Sequence, residues 1–123
     1  MRFVNPIAFV RDLARSRDFY SRRLGLKVLE DEGGFVLFES GFAIHDGAKL
    51  EQTIWGTRSE TSVPYGRQNL LLYFEHDDVD AAFESIASHV QVIHPVQTQA
   101  WGQRVFRFYD PDGHVVEIGE PYS

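Results

Sequence analysis

Two ionisable residues occupy matching places in the sequence, each four positions after a glycine. His45 follows Gly41, and Glu117 follows Gly113. Valine and isoleucine surround Glu117, and a carboxylate in such a strand is costly to bury unless it is paired or hydrated. A contact between His45 and Glu117 would satisfy both side chains. The two residues are therefore predicted to form either a structural tie or a proton-handling pair, in which Glu117 could act as a general base.

Two asparagines are also equivalent in position. When the sequence is shifted by 64 residues, Asn5 falls on Asn69 and Phe19 falls on Phe83. Each amide could bind a small molecule through hydrogen bonds, or it could bond its own backbone where a strand begins. Both interpretations stay open on the sequence alone.

Alternating residues on a later strand are candidates for ligand contact. The expected pairing across the turn Asp110–Gly113 places Arg104, Phe106 and Phe108 on the same face as Glu117, unless a bulge reverses the register. Arg104 could meet an anionic group of a ligand, or it could be an exposed residue at the sheet edge.

Trp55 lies in a long polar connection, residues 47–67, and long connections in small domains are often functional. Trp55 and Trp101 are candidates for a lid over a ligand or a subunit contact, or they simply cover the ends of the sheet. The remaining histidines are predicted to be surface residues: His76, His89, His94 and His114.

These residues must be positioned by a repeated unit that reads strand, helix and three strands, or βαβββ. In the first copy the strands are predicted at 4–10, 27–29, 35–38 and 42–44, with a helix at 14–24. In the second copy the strands are predicted at 70–74, 90–96, 105–109 and 115–118, with a helix that begins after Asp77 or Asp78. We therefore expect one α+β domain of two modules, 1–46 and 68–123, joined by a loop at 47–67.

Strand alternation gives each strand two faces. Four residues are predicted to share the face of the candidate residues: Ile7, Ala43, Leu71 and Val115. Their neighbours are predicted to pack beneath the helices: Ala8, Ile44, Leu72 and Val116.

Two segments resemble known motifs. The sequence DLARSRDFY at 12–20, running on to LGL at 24–26, is similar to the first helix of the glyoxalase and bleomycin-resistance families. DPDGHVVEI at 110–118 resembles their final hairpin and strand. With the repeat, the resemblance to this vicinal oxygen chelate superfamily, which includes extradiol dioxygenases, covers essentially the whole chain. It implies a glyoxalase-like fold, a U-shaped mixed sheet around a ligand cleft, and a homodimer.

The resemblance also implies four metal-ligand positions, which fall on Asn5, His45, Asn69 and Glu117. Metal-using relatives carry His, Glu or Gln there and bind nickel, zinc, iron or manganese. Two positions are asparagine here, and an amide oxygen is a poorer donor for such metals than imidazole or carboxylate. The expected cofactor is therefore none, or else a divalent metal whose shell needs water or substrate.

Composition limits the remaining classes. The net charge of −6 argues against a nucleic-acid partner, and no apolar run is long enough to cross a membrane. The absence of cysteine fits a cytoplasmic protein, and ten phenylalanines favour an apolar pocket.

Three functions remain open on the sequence. The first is a small-molecule binding protein, similar to the antibiotic-binding relatives, that lacks a complete transition-metal site. The second is an enzyme, namely a metal-dependent lyase, isomerase or dioxygenase that uses Glu117 and His45, or a metal-free enzyme. The third is a structural or regulatory domain whose cleft is filled.

Overall fold

A computed structural model describes residues 1–122 of the chain. The chain divides into two compact units, Met1–Tyr65 and Gly66–Ser123. Each unit contains one four-stranded mixed sheet, and the two sheets have equivalent strand orders. The prediction of an α+β fold built from two βαβββ modules is confirmed.

Unit one has a sheet of order β1-β4-β3-β2, in which β1 runs parallel to β4. Its strands are β1 (Ile7–Val10), β2 (Val28–Glu32), β3 (Phe35–Phe38) and β4 (Ala43–Asp46). Helix α1 (Leu13–Asp18) continues into a π-helical turn at Phe19–Arg23. The Asp12 carboxylate caps α1 by accepting from the backbone N–H of Arg15 at 3.0 Å. The predicted helix at 14–24 is thus present, in two consecutive forms.

The core of unit one lies on the face of the sheet that carries Ala8, Val10 and Ile44, all buried. Tyr20 contributes the largest fully buried ring, with its centroid 5.9 Å from Phe38 and 5.0 Å from Phe42. Aromatic packing of this kind adds to the free energy that area burial alone provides.

The segment expected to be a connecting loop contains a helix, α2 (Gly47–Trp55). Asp46 caps it by accepting from the N–H of Lys49 at 3.1 Å, and Gly56 ends it with a φ of 75°. The prediction of a loop throughout 47–67 was therefore wrong for its first nine residues. The polar composition of the segment concealed a helix whose buried side includes a charged residue, Glu51.

Unit two has the order β5-β8-β7-β6, with β5 parallel to β8. Its strands are β5 (Leu71–Glu75), β6 (Gln91–Thr98), β7 (Arg104–Tyr109) and β8 (Val115–Gly119). Helix α3 (Val79–Ile86) follows β5, and a short 3₁₀ turn at Ala87–His89 follows α3. The Asp78 carboxylate caps α3, and Phe83 packs edge to face on Phe106 with the ring centroids 5.2 Å apart.

The predicted alternation of faces agrees with burial on the helix side, where Ala8, Ile44, Leu72 and Val116 are buried. On the opposite face Ile7 and Leu71 are exposed, as expected for a face without a core, whereas Ala43 is fully buried. No helix within residues 1–122 is long and apolar enough to cross a membrane.

Candidate functional site

His45 lies on the face of the first sheet opposite the core, which we call the His45 face (Ile7, Phe9, Phe35, Leu37, Ala43 and His45). The strand ladders place His45 beside Phe9 of β1 and Phe35 of β3. Its Nδ1 lies 3.0 Å from the backbone oxygen of Asp46. Because a carbonyl oxygen can only accept, Nδ1 donates, and Nε2 of the neutral ring is an acceptor.

Two aromatic rings pack on Phe9, the ladder neighbour of His45. Together they form what we call the aromatic cluster: Phe9, Trp55 and Tyr65. The Phe9 ring centroid lies 6.2 Å from that of Trp55 and 5.6 Å from that of Tyr65. Trp55 is nevertheless 64% exposed. A large apolar ring therefore packs on Phe9, the strand neighbour of His45, with most of its surface open to contact.

Polar contacts hold Tyr65 in the aromatic cluster. Its hydroxyl donates to Glu51 Oε2 at 3.0 Å and accepts from Arg11 Nη1 at 2.9 Å. The Arg11 guanidinium also lies over the Tyr65 ring, 3.8 Å from the centroid. Burial, followed by the hydrogen bond to the Glu51 carboxylate, raises the pKa of Tyr65.

Glu51 is the anchor of this arrangement, because it is 6% exposed and accepts three hydrogen bonds. The hydroxyl and the backbone N–H of Ser59 donate to it, and these bonds are the main reason that the pKa of Glu51 lies below its usual value. No sequence pattern marked Arg11, Glu51 or Tyr65 as site residues. An acidic residue within a short amphipathic helix was the available signal, but it required the helix itself to be predicted.

Glu117 is 5% exposed and lies on the equivalent face of the second sheet, which we call the Glu117 face (Leu71, Tyr73, Val105, Arg107, Val115 and Glu117). The ladders place Tyr73 of β5 and Arg107 of β7 on either side of it. The Nε atom of Arg107 donates to Glu117 Oε1 at 2.7 Å. Of the two expected alternatives, pairing or hydration, the carboxylate is thus paired, by a residue that no sequence pattern marked.

The other two nitrogens of the Arg107 guanidinium also have acceptors. Nη1 lies 2.9 Å from His94 Nε2, and Nη2 donates to Gln99 Oε1 at 3.2 Å. His94 Nδ1 lies 2.7 Å from the Pro95 carbonyl oxygen, so Nδ1 donates and Nε2 is free to accept from Arg107. The guanidinium is thus bound at all three nitrogens.

A second set of polar contacts continues across the Glu117 face. The Tyr73 hydroxyl accepts from Gln103 Nε2 at 2.8 Å and donates to Glu75. Burial, followed by the bond to the Glu75 carboxylate, raises the pKa of Tyr73. Trp101 donates to Gln103 Oε1 at 2.9 Å, so its indole N–H has a partner within its own unit.

Gly119 explains how Gln103 reaches Tyr73 across the sheet. A Cβ atom at position 119 would lie 2.5 Å from Gln103 Nε2, so a larger residue there would displace the end of this side chain. Gln103 is buried as a result.

Arg104, Phe106 and Phe108 do not share the face of Glu117, contrary to the sequence-based register. Glu117 pairs with Arg107, which puts the three residues on the α3 side, where Phe106 and Phe108 are fully buried and Arg104 pairs with Asp80 at 2.8 Å. The turn between β7 and β8 explains the error.

Asp110 N–H bonds to the His114 oxygen at 2.9 Å, leaving three residues in the loop instead of four. Gly113 adopts a φ of 83° to close that loop. Because one residue fewer separates the paired positions, every side chain of β7 changes face relative to the predicted register.

Both asparagines precede their strands, since β1 begins at Ile7 and β5 at Leu71. Asn5 Nδ2 donates to the Pro6 oxygen at 3.0 Å, which is a contact with local backbone. Within each unit, the ladder partner of His45 on the first strand is Phe9, and the partner of Glu117 is Tyr73. Asn5 and Asn69 therefore lie outside the paired residues of these two ladders.

One histidine contradicts the prediction that it is a surface residue, because His114 is buried at the end of the β7–β8 turn. His94 is half-buried and lies within β6, where it contacts Arg107. His76 fits the prediction, because it is exposed and its Nδ1 accepts from the backbone N–H of Asp78 at the start of α3.

The residues at the four expected ligand positions do not fit a transition metal ion. Two are neutral amides, and the carboxylate of Glu117 is already bound by a guanidinium, whose charge repels a second cation. Among residues 1–122, no three His, Cys, Asp or Glu side chains form a group that could hold a metal ion.

Comparison with known proteins identifies the family. A family model described as a glyoxalase-like domain matches residues 3–123. The crystal structure of a protein of unknown function from Agrobacterium tumefaciens strain C58 is 69% identical, with a TM-score of 0.94 over 99% of this chain and 95% of that one. The uncharacterised protein YraH of Bacillus subtilis is 28% identical over 96% of this chain and 97% of its own length.

A structure named lactoylglutathione lyase, also from A. tumefaciens, is 25% identical, with a TM-score of 0.68 over 97% of this chain and 92% of that one. The resemblance inferred from the two sequence motifs is confirmed. The chain belongs to the glyoxalase-like domain family.

Proposed function

We propose that this chain binds a small organic molecule, as a glyoxalase/bleomycin-resistance-like protein without a complete transition-metal site. The observation that carries this proposal is the ion pair between Arg107 Nε and Glu117 Oε1 at 2.7 Å. Because Glu117 is engaged in this ion pair, its carboxylate is not available to a metal ion, and Asn5 and Asn69 offer only neutral amides. Recognition then depends on shape, aromatic contact and hydrogen bonds.

The aromatic cluster is the proposed apolar contact for the ligand. Trp55 is held against Phe9, yet most of its surface is exposed, so a planar ring of a ligand can stack on it or pack against its edge. His45 Nε2, two residues before α2 on the same unit, can accept a hydrogen bond from a ligand N–H or O–H. Together these features favour a partly aromatic molecule with at least one donor group.

The test is isothermal titration calorimetry with a panel of aromatic and cationic compounds, on the full chain and on two variants of one helix. Trp55→Ala removes the exposed ring, and we expect affinity to fall by about tenfold or more, as for aromatic side chains that become buried on binding. Ile54→Ala, the adjacent exposed residue, is the matched control and should bind normally. Failure of every compound to bind would contradict the proposal.

The second candidate function is a metal-dependent lyase, isomerase or dioxygenase. His45 and Glu117 favour it, because imidazole and carboxylate are the donors that such enzymes use, and a relative carries the name lactoylglutathione lyase. Elemental analysis of protein purified without chelators separates the candidates. One nickel, zinc, iron or manganese ion per chain would favour this enzyme and contradict the first proposal.

A homodimer is also proposed. Three exposed apolar side chains lie at the start of β1 in unit one: Phe3, Val4 and Ile7. Clustered exposed apolar residues of this kind are typical of protein contacts. Native mass spectrometry should therefore show twice the chain mass, and a monomer at micromolar concentration would contradict the expectation.

A further inference from the structure

We infer that the Arg107 guanidinium occupies the place beside Glu117 that a divalent metal ion could otherwise take. The guanidinium is bound by the kinds of side chain that would coordinate such an ion, and its positive charge excludes the ion. This inference deepens the proposed function and rests on it, because it names the residue that keeps the Glu117 carboxylate free of metal. It concerns unit two alone.

The three acceptors around the guanidinium are of the kinds that bind divalent metals. They are the carboxylate of Glu117 at 2.7 Å, the imidazole of His94 at 2.9 Å and the amide oxygen of Gln99 at 3.2 Å. Carboxylate and imidazole are preferred ligands of zinc and cobalt, and an amide oxygen or water can complete such a shell. The Arg107 guanidinium therefore contacts a carboxylate, an imidazole and an amide oxygen, a set of groups that could also coordinate a metal ion.

The sheet places these donors in a single row. Glu117 of β8 and His94 of β6 both pair with Arg107 of β7, the strand between them. Adjacent strands lie about 4.8 Å apart, so the two outer side chains are separated by about 10 Å at the backbone. They can converge on one ion above position 107 once the arginine side chain no longer fills that space.

His94 is already oriented as a metal ligand would be. Its Nδ1 donates to the Pro95 carbonyl at 2.7 Å, which fixes the ring and leaves the Nε2 lone pair toward Arg107. Metal-binding histidines are commonly fixed in this way by a carbonyl on the other nitrogen.

The charge of Arg107 explains why a metal ion is excluded while the arginine is present. Its side chain is 24% exposed and that of Glu117 is 7% exposed, so water screens the pair poorly. A divalent ion approaching Glu117 would face the repulsion of a positive charge in contact with the same carboxylate.

The test is metal titration of two variants on the same strand. Arg107→Gln removes the central charge, whereas Arg104→Gln removes an arginine of the opposite face that pairs with Asp80 at 2.8 Å. Cobalt(II) is the probe, because its visible spectrum reports coordination directly. We expect Arg107→Gln to bind one cobalt per chain at least about tenfold more tightly than wild type, and Arg104→Gln to match wild type.

The double variant Arg107→Gln with His94→Ala should lose the gained affinity and the cobalt absorption. Folding of each variant is checked by circular dichroism, and Arg107→Met, which retains much of the aliphatic stem, replaces a variant that does not fold. A folded Arg107 variant with no gain in cobalt affinity overturns the inference. So does stoichiometric cobalt binding at Glu117 in wild type.

A measurement on the wild-type protein needs no variant. A guanidinium bound at all three nitrogens rotates slowly, so its side-chain N–H signals in nitrogen-15 spectra should be resolved and protected from solvent exchange. Averaged signals like those of an exposed arginine would contradict the inference. A transition metal ion in purified wild-type protein would overturn the proposed function. If wild type is metal-free and binds an organic ligand, but the Arg107 variants gain no cobalt affinity, only this inference is overturned.

Discussion

Glu51 and Ser59 are joined by two hydrogen bonds, one from the Ser59 backbone N–H to Oε1 at 2.8 Å and one from its hydroxyl to Oε2 at 2.6 Å. The same carboxylate accepts from Tyr65, which packs on Phe9. A buried side chain of α2 therefore holds residues 59–65 against the aromatic cluster. The shape of the proposed binding surface depends on the Glu51 carboxylate, although Glu51 is itself buried and is not part of that surface.

The first prediction concerns pH. The pKa of Glu51 is lowered from its ordinary value of 4.5, chiefly by the Ser59 hydrogen bonds. A carboxyl with a lowered folded pKa stabilises the fold above its unfolded pKa, and this contribution disappears as pH falls through the folded value. Glu51→Gln should therefore lower the melting temperature at pH 7, and its difference from wild type should shrink as pH falls below 4.5.

The measurement is thermal unfolding as a function of pH, with Glu60→Gln as the control, because Glu60 is an exposed carboxylate next to Ser59. The control should change little at any pH. A constant difference between wild type and Glu51→Gln across the acidic range would show that the carboxylate charge is not what stabilises the segment.

A second prediction concerns the space beneath Tyr65. A Cβ atom at Gly47 would lie 2.3 Å from the Tyr65 hydroxyl oxygen and 2.4 Å from the ring carbon that bears it. Gly47→Ala should thus displace the ring and destabilise the fold by about 1–3 kcal/mol, the usual cost of overpacking.

Urea denaturation of a double-mutant cycle measures the effect of Gly47→Ala. In a Tyr65→Ala background the obstacle is gone, so Gly47→Ala should cost much less there. Equal costs in both backgrounds would mean that Gly47 matters for the start of α2 and not for the position of Tyr65.

The sequence predicted the order of the helices and strands far better than the face of β7 that carries each side chain or the contacts between side chains. Both βαβββ copies and the strand Phe35–Phe38 follow from apolar periodicity and turn residues, which are local signals. Predicting the partner of Glu117 required the exact length of the turn between β7 and β8. A difference of one residue in that turn reversed the face of β7 that lies beside Glu117. Arg107 and Gln99 meet only because the sheet brings them together, so no local pattern marked them.

The third prediction tests whether Phe106 of β7 belongs to the core or lines the Glu117 face. Phe106 is fully buried on the α3 side, so Phe106→Ala should destabilise the fold by about 3–5 kcal/mol. Had the predicted register been present, Phe106 would line the Glu117 face and its loss would chiefly weaken ligand binding. Chemical denaturation measures the first effect, and Phe106→Leu, which keeps most of the volume, should cost about 1.5 kcal/mol or less.

The fourth prediction tests the turn that sets this register. Gly113 has a φ of 83°, in the left-handed region, and closes a loop of three residues. Asp110 Oδ1 accepts from the backbone N–H groups of Asp112 and His114 across this loop. Gly113→Ala should cost about 1–2 kcal/mol because a Cβ atom disfavours that conformation. Gly113→Asn should cost less, since asparagine tolerates it. Equal urea midpoints for glycine and alanine would show that the loop adopts another conformation, in which case the pairing of Arg107 with Glu117 would no longer follow from the turn.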